Sequence, residues 1–91
     1  MFHFTELDLT QQFDESYRGL PAPVQKQCRK ALSFLLTNPD HPGLNLRPIL
    51  PAKTYWEARV NRSDRLVLRP DGTILRVLDV VTHDEIIRWS G

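Results

Sequence analysis

Ninety-one residues make one domain, spanning 1–91, with no room for a second core. A chain of this size buries only about 60–65% of the surface it exposes unfolded, so every apolar face must be used. The composition, 41% hydrophobic and 25% charged with a net charge of +1, is that of an ordinary soluble globular protein and argues against coating nucleic acid by bulk electrostatics.

A single cysteine excludes an internal disulfide and fits a cytoplasmic setting. The opening "MFHFTELDL" carries acids and neither a basic segment nor a long apolar one, so no signal peptide is expected. No apolar run approaches the ~18 residues a membrane span needs. The charge is unevenly placed. Residues 1–46 hold four Lys/Arg against five Asp/Glu, whereas residues 47–91 hold eight against six.

In chain order, "FHFTEL" alternates Phe2, Phe4 and Leu7 with polar neighbours and predicts a short first strand. Leu9, Phe13 and Tyr17 recur at spacing four, one helical face, with Thr10 as its cap and Gly19 as its stop. The clearest helix follows. Pro21 or Pro23 suits its first turn, and Val24, Cys28, Ala31, Leu32, Leu35 and Leu36 form its apolar stripe opposite Gln25, Lys26, Arg29 and Lys30. Asn38-Pro39 ends it and "DHPG" turns the chain. "LNLRPIL" is a short strand, and "TYWEARVN" alternates a core face of Trp56, Ala58 and Val60 with Tyr55, Glu57, Arg59 and Asn61. "RSD" is a tight connection, "RLVLR" a further strand and "PDG" a hairpin turn. "TILRVLDVVTHD" is the longest strand, and "DEIIRWS" a short terminal helix capped by Asp84 or Thr82. The order predicts an α+β fold: two N-terminal helices packed on a twisted, mainly antiparallel sheet of four to five strands, with a short C-terminal helix.

The unusual stretch is "YWEARVNRSDRLVLR", a strand pair threaded with Arg59, Arg62, Arg65 and Arg69. Glu57, Arg59 and Asn61 share one face of the first strand; Arg65, Val67 and Arg69 share one face of the second. A hairpin between them brings arginines from both strands onto one polar surface. Arginine is the side chain suited to fixed, bidentate contact with phosphate. The plainer reading is a solvated sheet face, its arginines paired with Glu57, Asp64 and Asp71. A phosphate site also needs a group able to move a proton. His83, at the end of the last strand beside Asp84 and Glu85, is the candidate, against the plainer reading of a surface histidine next to a helix cap. His3 and His41 form no ligand pattern with it, so no metal or other cofactor is expected. Neither a GxSxG elbow nor a phosphate-cradling glycine loop is present. Cys28 lies on the apolar stripe and reads as a core thiol.

Taken together, "LPAPVQKQCRKALSFLLTNPDHPGLNLRPI", "YWEARVNRSDRLVL" and "VLDVVTHDEI" resemble the RelE/ParE toxin superfamily of bacterial type II toxin–antitoxin systems. The marks are an NP-to-G turn, an "ARVN" strand pair and a terminal "HDE", in that order over nearly the whole chain. The resemblance implies a RelE/ParE-like fold and a cognate antitoxin protein that wraps the toxin. RelE-like members cleave mRNA on the ribosome without metal, by attack of a ribose 2′-OH on phosphate; ParE-like members inhibit DNA gyrase. Carried over by position, Arg59, Arg65 and His83 are the catalytic set. Lys53, Arg62, Asn61 and Arg69 are phosphate contacts, and Glu57 and Asp84 are proton-transfer or orienting groups. Two features depart from the pattern: Ile86 follows "HDE" where many relatives carry an aromatic, and the chain is nearly neutral where RelE-like nucleases are strongly basic. They favour an alternative, a non-nucleolytic toxin or interaction module, whether a gyrase inhibitor or an inactive member.

Overall fold

The computed structural model describes residues 2–91. The elements run β1 (Glu6–Leu9), α1 (Gln11–Arg18), α2 (Ala22–Thr37), a 3₁₀ turn (Pro42–Leu44), β2 (Arg47–Pro48), β3 (Trp56–Arg59), β4 (Asp64–Asp71), β5 (Ile74–Thr82) and a C-terminal 3₁₀ helix (His83–Trp89). The five strands form one sheet in the order β1-β5-β4-β3-β2. β2 to β5 are antiparallel neighbours, while β1 lies parallel to β5. The sheet is therefore mixed. A parallel neighbour requires a long crossover, and here the whole chain between β1 and β5 supplies it.

The first strand starts later than alternation predicts. β5 begins at Ile74, so strand pairing begins at Glu6 opposite it, and Thr5 adds only a backbone hydrogen bond to the turn residue Thr73 at 2.8 Å. Phe2 and Phe4 pack instead as aromatics, 5.6 Å between ring centroids, with Phe2 edge-on to Trp56 at 4.9 Å. Leu9 belongs to β1 rather than to the face of α1, and is half exposed. Thr10 caps α1, its hydroxyl accepting the Phe13 N–H at 3.2 Å, and Gly19 closes it onto Ser16 and Tyr17.

α2 buries Cys28, Ala31 and Leu35. Leu36 lies about 100° around the helix from the centre of that stripe and is 38% exposed. These helices cover the sheet face made by Ala58, Leu66, Leu68, Leu75, Val77 and Val80, with Phe4, Phe13 and Leu44 completing the core. Each fully buried Leu or Val contributes about 1.5–3 kcal/mol over leaving it in water.

Strict alternation along β5 from Leu75 and Val77 puts Asp79 in that core. A β-bulge prevents this. Leu68 pairs with Val77 but Val67 pairs with Asp79, so Leu78 is the extra residue and the faces exchange beyond it. Val80 then joins the core, while Asp79 shares the opposite face with Val67, Glu57 and Arg65. The β4–β5 turn is Gly72-Thr73, with φ +61° on Gly72, where a side chain would be strained. Thr82 starts the C-terminal 3₁₀ helix. Its N–H and hydroxyl both donate to Glu85, at 3.0 and 2.9 Å, while Asp84 lies within the helix. Trp89 anchors the far end edge-on to Tyr55, 5.1 Å away.

Candidate phosphate-binding site

Register explains the arginine run. On β3 and β4, Arg59 stands directly opposite Arg65, and like charges opposed across a strand pair destabilise a sheet. A second arginine pair, Arg69 opposite Arg76, provides the contrast. There Arg76 lies 3.2 Å from Asp71 and 3.5 Å from Asp8, so carboxylates offset the repulsion. Arg65 has Glu57 at 3.7 Å, but Glu57 is shared with Arg47 at 3.8 Å. Positive charge is thus left in excess around Arg59 and Arg65.

The two arginines do different work. Arg65 is buried, 7% exposed, and its Nη1 donates to the carbonyls of Asn61, Asp64 and Arg62 at 2.8, 3.0 and 3.2 Å. It staples the β3–β4 turn from within. Burial first, then repulsion from Arg59, holds its guanidinium below its ordinary pKa. Arg59 is exposed.

Asn61 builds the same turn. Its Oδ1 accepts from the N–H groups of Ser63 and Asp64, both at 2.8 Å, and its Nδ2 donates to Asp64 at 2.9 Å and Gln27 at 2.8 Å. Such Asx turns favour asparagine because its short amide mimics backbone. Asn61 is committed to architecture.

His83 comes to this turn through its backbone, its N–H donating to the Ser63 carbonyl at 2.7 Å. Its ring is largely exposed, with Nδ1 3.4 Å from the fully exposed Asp84 carboxylate. Arg59, Arg62, Ser63, Arg65, Thr82, His83 and Asp84 line one open cleft of ≈ 550 Å³. Across His83 and Asp84 lies a second, more apolar cleft lined by Arg47, Ile49, Leu50, Glu57, Ile86 and Ile87. Glu57 lines that second cleft together with His83, buried between two arginines.

Two expected contacts lie elsewhere. Arg69 lines a separate cleft with Tyr55, Asp71 and Arg76, four residues and roughly 13 Å along β4 from Arg65. Lys53 sits in the loop before β3 with φ +63°, its N–H closing a turn onto Ile49, and lines neither cleft. Arg47, which shares Glu57 with Arg65, was missed, because only the β2–β3 register places it there. Among the described residues no three His, Cys, Asp or Glu side chains gather as a metal site.

No family model and no curated protein matches this sequence, but solved structures do. YafQ from E. coli strain BL21(DE3) superposes with a TM-score of 0.68 at 18% identity, over 88% of this chain and 94% of that one. The YoeB/ParE toxin from Agrobacterium tumefaciens gives 0.69 at 19%, over 87% and 99%. RelE in the RelB-RelE antitoxin–toxin complex from Methanococcus jannaschii gives 0.68 at 13%, over 92% and 99%. The fold of this chain is that of the RelE/ParE toxins.

Proposed function

We propose that this chain is the toxin of a type II toxin–antitoxin pair, acting in the cytoplasm as a metal-independent endoribonuclease on ribosome-bound mRNA. The observation that carries this reading is the incompletely neutralised Arg59–Arg65 pair, with His83 hydrogen-bonded to the same turn. The fold neighbours include toxins solved with antitoxins, DinJ-YafQ and YoeB-YefM, which supports a protein antitoxin as partner.

The chemistry is transesterification. A ribose 2′-OH attacks the adjacent phosphorus, the P–O2′ bond forms, the P–O5′ bond breaks and a cyclic phosphate remains. Arg59, Arg62 and the free Nη2 of Arg65 face the charge that builds on the non-bridging oxygens. Preorganised donors aimed at developing charge are each worth about 10²–10³ in rate. The proton leaving the 2′-OH and the proton taken up by the O5′ leaving group both pass through the His83 ring, with Asp84 3.4 Å from its Nδ1 to orient it and Glu57 in the lining of the second cleft. Wild type is expected to cut ribosome-bound mRNA, and Arg59→Ala and His83→Ala to lose ~100-fold or more while remaining folded. Equal cutting by both variants, or none by wild type, defeats the proposal.

One observation favours a non-nucleolytic toxin or interaction module. Arg65 spends Nη1 on three carbonyls and Nε on Glu57, which leaves a single nitrogen for phosphate. Inhibition of gyrase supercoiling without RNA cleavage supports the gyrase-directed form of that alternative; neither activity supports a pure binding protein.

A further inference from the structure

Arg59 belongs to two clefts. On its far side a cavity of ≈ 370 Å³ runs between α2 and the Pro42–Leu44 turn, with Gln27, Lys30, Phe34, His41 and Val60 in its lining. We propose that this cavity is a nucleobase subsite, which holds the base of a nucleotide whose phosphate lies on Arg59. The inference rests on reading the neighbouring cleft as a phosphate site.

Three features fit a base. The volume exceeds that of a purine, and the floor is apolar: Ala31, Leu44 and Val60. One wall is an aromatic stack, Phe34 against His41 at 4.3 Å and 19° between planes, with the Lys30 ammonium 5.9 Å from the Phe34 ring centroid. Aromatic walls and cations are how proteins hold bases and their phosphates.

The third feature is polarity. None of the lining residues is acidic. The His41 Nδ1 accepts the Gly43 N–H at 3.0 Å, which puts the neutral ring's proton on Nε2 as a donor. Gly43 eases that closeness, because a Cβ there would meet the His41 ring at 3.0 Å and push it back by a few tenths of an ångström. Gln27 spends its Oε1 on Asn61 and keeps its N–H donors. A wall of donors suits a base edge made of acceptors, such as O6 and N7 of guanine.

The test is an NMR titration of the full chain with GMP and, separately, inorganic phosphate. Phosphate is expected to move resonances of Arg59, Arg65 and His83. GMP should move these and also Lys30, His41 and Val60. Lys30→Gln, at an exposed helical position, is expected to weaken GMP about fivefold and leave phosphate unchanged. Gln27→Glu keeps the acceptor for Asn61 while adding a negative charge, and should weaken GMP likewise. If GMP moves only the residues that phosphate moves, or both variants bind it as wild type does, the subsite is overturned even where RNA is cut. GMP seated in the cavity of a protein that cuts no RNA leaves the subsite standing and removes the nuclease reading.

Discussion

Replacing Arg59 with glutamine should make the protein more stable and less able to bind phosphate. Arg59 is exposed and stands opposite Arg65, and the shared Glu57 offsets only part of their repulsion. Opposed like charges cost about 0.2–1 kcal/mol. Glutamine keeps a polar, unbranched side chain, shorter than arginine's, and removes the repulsion. In a domain of 60–100 residues about 1 kcal/mol moves Tm by roughly 4–8 °C, so the gain is expected at ~1–8 °C in low salt. It should shrink towards zero in about 1 M salt, where the Debye length falls to roughly 3 Å. Thermal unfolding of wild type and Arg59→Gln at both ionic strengths reads this directly. A variant less stable than wild type at low salt, or a gain that salt does not touch, refutes the repulsion argument.

Other outcomes follow from the same geometry. Arg65→Ala removes the donor to three carbonyls and leaves the buried Glu57 facing only Arg47; a loss of about 3–5 kcal/mol is expected in urea unfolding. Gly72→Ala strains a turn residue at φ +61° and should lower stability by ~1 kcal/mol or more in the same measurement. Hydrogen bonds from the Thr82 backbone and hydroxyl hold the Glu85 carboxyl below its ordinary pKa. A depressed carboxyl pKa gives stability that is present above the unfolded value and lost as pH falls through the folded one. Thr82→Ala should therefore raise the Glu85 pKa in an NMR titration and flatten that acid-side loss. Burial, then the Asp64 carboxylate, pushes the Cys28 thiol up to about 11. The native thiol should resist a disulfide reagent at pH 8 until urea unfolds the chain. Stability should also fall above pH 9, where the unfolded state releases a proton the folded state keeps.

The helices were legible because their signals are local. Thr10 caps α1 as its hydroxyl predicts, Gly19 ends it in right-handed backbone that needs no glycine, and the stripe from Cys28 to Leu35 lies inward. The convergence of arginines from two strands on one surface was legible as a hairpin consequence, but the direct opposition of Arg59 and Arg65, and its contrast with the neutralised Arg69–Arg76 pair, needs the register of four strands. The parallel docking of β1, the bulge at Leu78 and the approach of Arg47 to Glu57 depend on which strands meet. No local pattern encodes them. Asn61 shows the converse: its position among arginines suggested a ligand, while its short amide suits a turn.

The end chemistry of cut RNA tests the central claim most directly. Ribosomes translating a defined message in Mg²⁺ buffer are exposed to protein that has been stripped with EDTA and desalted, and the new 3′ ends are analysed. Attack by the 2′-OH predicts 2′,3′-cyclic phosphate or its 3′-phosphate product with wild type, and no such ends with His83→Ala or Arg59→Ala. New ends bearing 3′-hydroxyls, or identical cyclic-phosphate ends from all three proteins, would contradict it.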